Sequence, residues 1–321
     1  MRVLMAGVAI ALAFDAQFVT AQGYPEKAIR FIAPYAPGGS TDLLTRTLAQ
    51  KLTVSLGQTV VADNRPGAGG NVGADIVAKA APDRYTILLA PVSPMAINVS
   101  LYGKKLPFNP ERDFAPITLV AKVPLVIVLN LGVPAKTLQE FIDFARKSNP
   151  PLNYASTGSG AQQHLAMEML KARAGLNMAH IPYKGGAGAT IAMVAGDVSA
   201  TIGGSSMDPQ IKAGKLRALA TTGARRAPSY PDLPTIGEMF PGYTISVWIG
   251  LFAPAATPVE VLTRLRGEVD KFLANPETRQ KLYASGGMDP YPLRPEEILL
   301  GMRRDYEKFG KLIKEIGLRV D

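Results

Sequence analysis

The 321-residue chain contains no cysteine. That excludes disulfides, thiolate metal sites, cysteine nucleophiles and a lipid carried on an N-terminal cysteine. Histidine is almost as scarce, with His164 and His180 the only two. Two isolated imidazoles without thiolates make a poor transition-metal site. No G-x-S-x-G nucleophile elbow is present either, because Thr157-Gly158-Ser159-Gly160-Ala161 lacks the flanking glycines at that spacing. The glycines and prolines are dispersed, so low-complexity sequence is excluded.

What remains is 47% hydrophobic and 19% charged, the balance of a globular chain with a substantial core. Its length accommodates about two domains. The net charge is +9, but Lys and Arg are scattered, with short pairs such as Lys104-Lys105, Arg225-Arg226 and Arg303-Arg304. No basic helix is interleaved with aromatics, so no nucleic-acid partner is expected. The N-terminus has a targeting pattern: Arg2, an apolar run from Val3 to Phe14, then Val19-Thr20-Ala21 before Gln22. That run is shorter than the about 18 residues needed to span a bilayer. Residues 1–21 are therefore expected to be a cleaved signal peptide.

The chain is organised around Pro37-Gly38-Gly39-Ser40. Before it, Ala28 to Ala33 has the short apolar pattern of a strand; after it, Leu44, Leu48 and Leu52 recur at the spacing of one helix face. Glycines between strand and helix leave backbone N–H groups uncovered, and the helix start adds unpaired N–H groups and the positive end of a dipole. The expected product is an anion cradle, with a plain turn and N-cap as the alternative. A similar design follows Asn153 to Ser156, where Thr157-Gly158-Ser159-Gly160 precedes a helix through Leu165 and Met169. Two such loops favour the cradle.

The remaining pattern alternates strands and helices, implying an α/β fold with mainly parallel sheets flanked by helices. Strands are expected at Gln58–Ala62, Tyr85–Ala90 and Leu216–Thr221, and helices at Thr137–Arg146, Pro258–Leu273, Pro276–Ser285 and Pro295–Ile316. Two long strand-like runs, 119–129 and 243–253, are suited to carry the chain between two lobes. On that basis lobe one is 22–124 plus 250–321 and lobe two is 125–249. Asn64 to Asn71 is a Gly-rich turn, but its glycine spacing is not that of a dinucleotide fingerprint.

Several segments together resemble one family. They are Tyr24-Pro25-Glu26-Lys27, Pro34 to Asp42, Asn64 to Asn71, Pro182-Tyr183-Lys184-Gly185-Gly186, Ile211 to Arg217 and Gly250-Leu251-Phe252-Ala253-Pro254. The mature chain is similar throughout to the Bug, or TctC-like, extracytoplasmic solute receptors of tripartite tricarboxylate transporters. The resemblance implies a periplasmic, two-lobed binding protein that closes on a small carboxylate (a dicarboxylate, aromatic acid or amino acid) and passes it to the membrane components of a tripartite transporter. It implies no cofactor, no catalysis and a monomer.

The resemblance also implies that Tyr35, Gly38, Gly39, Ser40 and Asp42 form one wall, with Pro37 and Thr41 in the same loop. Ser156, Thr157, Gly158 and Ser159 form the other. Ser93 and Met95 follow a strand at the same end of the sheet, and Gly204 and Asp208 belong to another strand-end loop. Two departures from the family stand out. Pro94-Met95 precedes Ala96-Ile97-Asn98, where a small polar loop with His or Thr is usual. Gly203 to Asp208 is unusually rich in glycine and serine. Met95 either faces the ligand or fills the core. His164 either reaches the cleft or packs under the second loop. Asp42 and Asp208 either touch ligand or complement helix starts. The competing functions are a periplasmic hydrolase or anion-handling enzyme, a sensory protein without transport, and a partner-binding module.

Overall fold

The computed structural model describes residues 23–319, apart from 246 and 286, so the expected signal peptide lies outside the described residues. The strands are β1 (Ile29–Ala33), β2 (Val60–Asn64), β3 (Thr86–Pro91), β4 (Phe114–Val123), β5 (Val126–Asn130), β6 (Asn153–Ser156), β7 (Ala179–Pro182), β8 (Ala200–Gly203), β9 (Leu216–Thr221), β10 (Val247–Pro254) and β11 (Asp289–Pro290). They form two sheets with orders β11-β4-β10-β3-β1-β2 and β7-β6-β8-β5-β9.

Both sheets are mixed rather than mainly parallel. In the first, β1 runs parallel to β2 and β3, and helices Ser40–Leu56 and Asn71–Ala78 make the crossovers. In the second, β6 is parallel to β7 and β8. The antiparallel pairs come from the strands that carry the chain between sheets. The expected run 119–129 divides at Pro124-Leu125, with β4 ending in one sheet and β5 starting in the other. The chain returns through β10, where Val247 pairs with Val123. An exit strand and a return strand that lie side by side are traversed in opposite directions and pair antiparallel. The two crossings are therefore neighbours.

Of the last three helices, Val259–Ala274, Pro276–Ala284 and Pro295–Ile316, the first and third have apolar stripes at helical spacing. Val261, Leu265, Val269 and Leu273 of the first are buried, and this helix packs on β4 and on the helix after β1. Helix Pro295–Ile316 also packs on β4 and reaches helix Gln162–Ala174. One hydrophobic core thus runs from the first sheet past the crossings onto one face of the second, taking in Leu129, Phe141, Leu165 and Ala200. The other face of the second sheet has its own smaller core around Val126, Val128, Ala155, Met193 and Leu216.

Candidate functional site

Three helices begin at one small cavity between the sheets. Gly39, Ser40 and Thr41 come from the start of helix Ser40–Leu56, Gln162 and Gln163 open helix Gln162–Ala174, and Gly186 opens helix Gly186–Ala195. None of their N-caps, Gly39, Ala161 and Gly185, supplies a side-chain cap. By contrast, helix Leu138–Lys147, which starts elsewhere, is capped by the Thr137 hydroxyl on Glu140 N–H. First-turn N–H groups have no intrahelical partner; Gln162 N–H is taken up by Ser93 Oγ, and the remaining first-turn donors and three positive dipole ends converge on this space.

The cavity volume is about 40 Å³, and among the described residues no charged side chain lines it. Its floor is apolar: Val123, Leu125, Val247 and Ile249 stand at the two crossings. Thr157 and Gly204 complete the predicted residues that line it, together with Tyr35, Gly39, Ser40 and Thr41. Ser206, Met207, Ala189 and Thr201 also contribute.

Direct bonds close the cavity. Ser205 and Ser40 share a hydrogen bond between hydroxyls. Ala36 N–H donates to the Lys184 carbonyl at 3.0 Å, and Tyr102 Oη donates to the Ser159 carbonyl at 3.2 Å. Glycines permit this approach. A Cβ on Gly69, where φ is +63°, would lie 2.6 Å from the Ser159 carbonyl oxygen.

Other predicted site residues lie outside the lining. Pro37 and Gly38 are exposed on the rim, and Gly38 N–H is spent on Asp42 Oδ2 at 2.9 Å. Asp42 is buried and also takes bonds from Arg46 and from Asn64 Nδ2. Burial pulls its pKa up, but these donors outweigh it and hold the carboxyl below its usual range. Asp42 thus braces the first loop from inside. Ser93 is fully buried and grips Gln162 instead of facing the cavity. Met95 fills the core, with 2% of its surface exposed. Asp208 pairs with Lys212 at 2.6 Å and accepts from Tyr230 Oη. Gly158 and Ser159 face the Gly69 loop across the cleft rather than the cavity.

His164 lies beneath the second loop, where its Nδ1 accepts from Gly160 N–H at 3.2 Å. Its ring stacks on His180, with centroids 3.8 Å apart and planes 9° apart. His180 Nε2 bonds Ser156 Oγ at 2.7 Å, which takes both residues out of the lining. Burial, then neighbouring positive charge, lowers both imidazoles to about 4, so they are neutral props at pH 7.

Gln162, Gln163 and Gly186 are missing from the sequence-predicted site. The signal for the glutamines was their position just beyond the second glycine loop, since first-turn residues share the cradle with the loop that precedes them. Gly186 stood in a quoted motif, but nothing local showed that its helix points at the same cavity.

Two sheets joined by paired crossings, with a cavity at the ends of their strands, define a two-lobed, cleft-forming binding protein. Residues 44–318 match the tripartite tricarboxylate transporter family receptor, TctC, and the chain belongs to that family. It is 33% identical over 317 residues to protein BugT of Bordetella pertussis, covering 98% of this chain and 97% of that protein. Among solved structures it is similar to R. palustris Rpa4515 with adipate, with a TM-score of 0.88 and 32% identity over 92% of this chain and 99% of that one. It is also similar to MatC from Rhodopseudomonas palustris with bound malate, with a TM-score of 0.82 and 28% identity over 90% of this chain and 100% of that one.

Proposed function

We propose that the cavity captures one small carboxylate between the two lobes and presents it to the membrane components of a tripartite transporter. The observation that carries this is the convergence of three helix starts, none capped by its own N-cap side chain, on a small space that no charged side chain lines among the described residues. Uncovered N–H groups aimed at one point suit an acceptor-only anion. Adipate in one similar structure and malate in another support the same ligand class for this chain.

The binding residues are Tyr35, Gly39, Ser40, Thr41, Thr157, Gln162, Gln163, Gly186, Gly204 and Ser206. Lobe one is 22–124 plus 250–321 and lobe two is 125–249, with the two crossings, at Pro124-Leu125 and at β10, as the hinge. The protein acts as an exported, periplasmic monomer. It binds without turnover: His164 is taken up by Gly160 N–H and His180 by the Ser156 hydroxyl, outside the cavity lining. A thermal-shift screen over mono- and dicarboxylates tests the proposal, since a ligand specific to the folded state raises the melting temperature. Saturable stabilisation by at least one acid is expected. No stabilisation by any acid, including adipate and malate, would overturn it.

A further inference from the structure

Gln162 and Gln163 are both buried and both line the cavity. Each is held by its carbonyl oxygen. Thr157 Oγ1 donates to Gln163 Oε1 at 2.8 Å. Ser93 Oγ donates to Gln162 Oε1 and accepts from Gln162 N–H at 3.0 Å. Among the described residues, no hydrogen bond takes up the side-chain NH2 of either glutamine. A glutamine amide carries one acceptor and one donor end. With both acceptor ends occupied, donor ends remain for the cavity.

The two clasps differ in origin. Thr157 and Gln163 follow the same strand, β6, so their bond is local. Ser93 follows β3 in the first sheet, whereas Gln162 belongs to the second. The Ser93 clasp therefore exists only when the two sheets are brought together.

Resting on the carboxylate reading above, we infer that Ser93 and Thr157 are positioning residues that lock Gln162 and Gln163 with their N–H donors toward the ligand. The receptor then discriminates a carboxylate from its isosteric primary amide, and the Ser93 half of the selection is made on closure. A carboxylate offers lone pairs to every donor. A primary amide brings its own NH2 against fixed NH2 groups, leaving buried donors unpaired, and such a mismatch discriminates strongly. A glutamine free to turn would present its carbonyl to the amide and lose that selectivity.

The test uses acetate and acetamide as matched probes, titrated into 15N-labelled protein and followed by NMR. In the parent, acetate should move the side-chain NH2 signals of both glutamines, and acetamide should bind at least tenfold more weakly. Ser93→Ala and Thr157→Val should each narrow the acetate-to-acetamide ratio at least fivefold, with an unchanged circular dichroism spectrum. A loss of packing alone would weaken both probes and leave the ratio alone. Gln162→Glu gives an independent arm if Ser93→Ala does not fold: acetate should weaken at least tenfold while acetamide is retained. The inference is overturned if the ratios stay within twofold of the parent in folded variants. It is equally overturned if acetate moves the backbone signals of Ser40 and Thr41 but neither glutamine side chain. If no cleft signal moves with acetate at any concentration, the carboxylate reading itself fails and this inference falls with it.

Discussion

Ser40 and Ser205, 165 residues apart in sequence, join their hydroxyls across the cavity mouth. One starts the helix after β1 and the other follows β8, so the bond links the two sheets. It is one neutral hydrogen bond and contributes roughly 0.5–1.5 kcal/mol. Ser205→Ala should therefore weaken carboxylate binding about twofold to tenfold. Calorimetry checks this, and an unchanged affinity would mean that the closed form does not depend on the bond.

Closure should also be blocked sterically from one position. Gly69→Ala places a methyl group against the Ser159 backbone at 2.6 Å, and neither backbone segment can yield as a flexible side chain would. The left-handed backbone at Gly69 adds a cost of about 1–2 kcal/mol. The expected outcome is a folded protein of modestly reduced stability whose affinity falls at least tenfold. Its radius of gyration under saturating acid should stay at that of the open parent. Small-angle scattering that shows normal compaction would contradict the contact.

The stacked histidines predict a pH dependence of stability. Both have folded-state pKa values near 4, below the ordinary 6.5, so the unfolded chain binds protons first as pH falls. Their stabilising contribution is complete above pH 6.5 and is lost progressively between 6.5 and about 4. With allowance for partial exposure, the pair should account for about 2 kcal/mol between pH 7 and 4.5. His164→Gln retains an acceptor for Gly160 N–H and removes one titrating ring. Urea denaturation of this variant should show a shallower loss across that window than the parent, and an identical slope would refute the assignment.

Much of the fold was legible because local chemistry and tertiary structure agree. Leu44, Leu48 and Leu52 promised one buried helix face, and all three are buried. Pro124 interrupts a largely apolar run at the point where the chain changes sheets. The antiparallel strands were not legible, since strand direction follows from which strands become neighbours and apolar periodicity is blind to that. The site divides along the same line. Glycine loops marked Gly39 to Thr41 and Thr157 because backbone freedom leaves a trace in sequence. Ser93, His164 and Asp208 have the residue types of a binding site, yet each spends its polar atoms inside the protein: Ser93 on Gln162, His164 on Gly160, Asp208 on Lys212 and Tyr230. That allocation depends on partners up to 69 residues away, as with Ser93 and Gln162, and no local pattern records it.

Calorimetry of one acid against its methyl ester tests the central claim most directly. The acid is the one that most raises the melting temperature in the carboxylate screen. Charge-assisted bonds contribute roughly 1.5–3 kcal/mol each, and the ester loses the charge while nearly keeping the shape. The account predicts one acid per chain and an ester at least a hundredfold weaker. An ester that binds within a few-fold of the acid would contradict it.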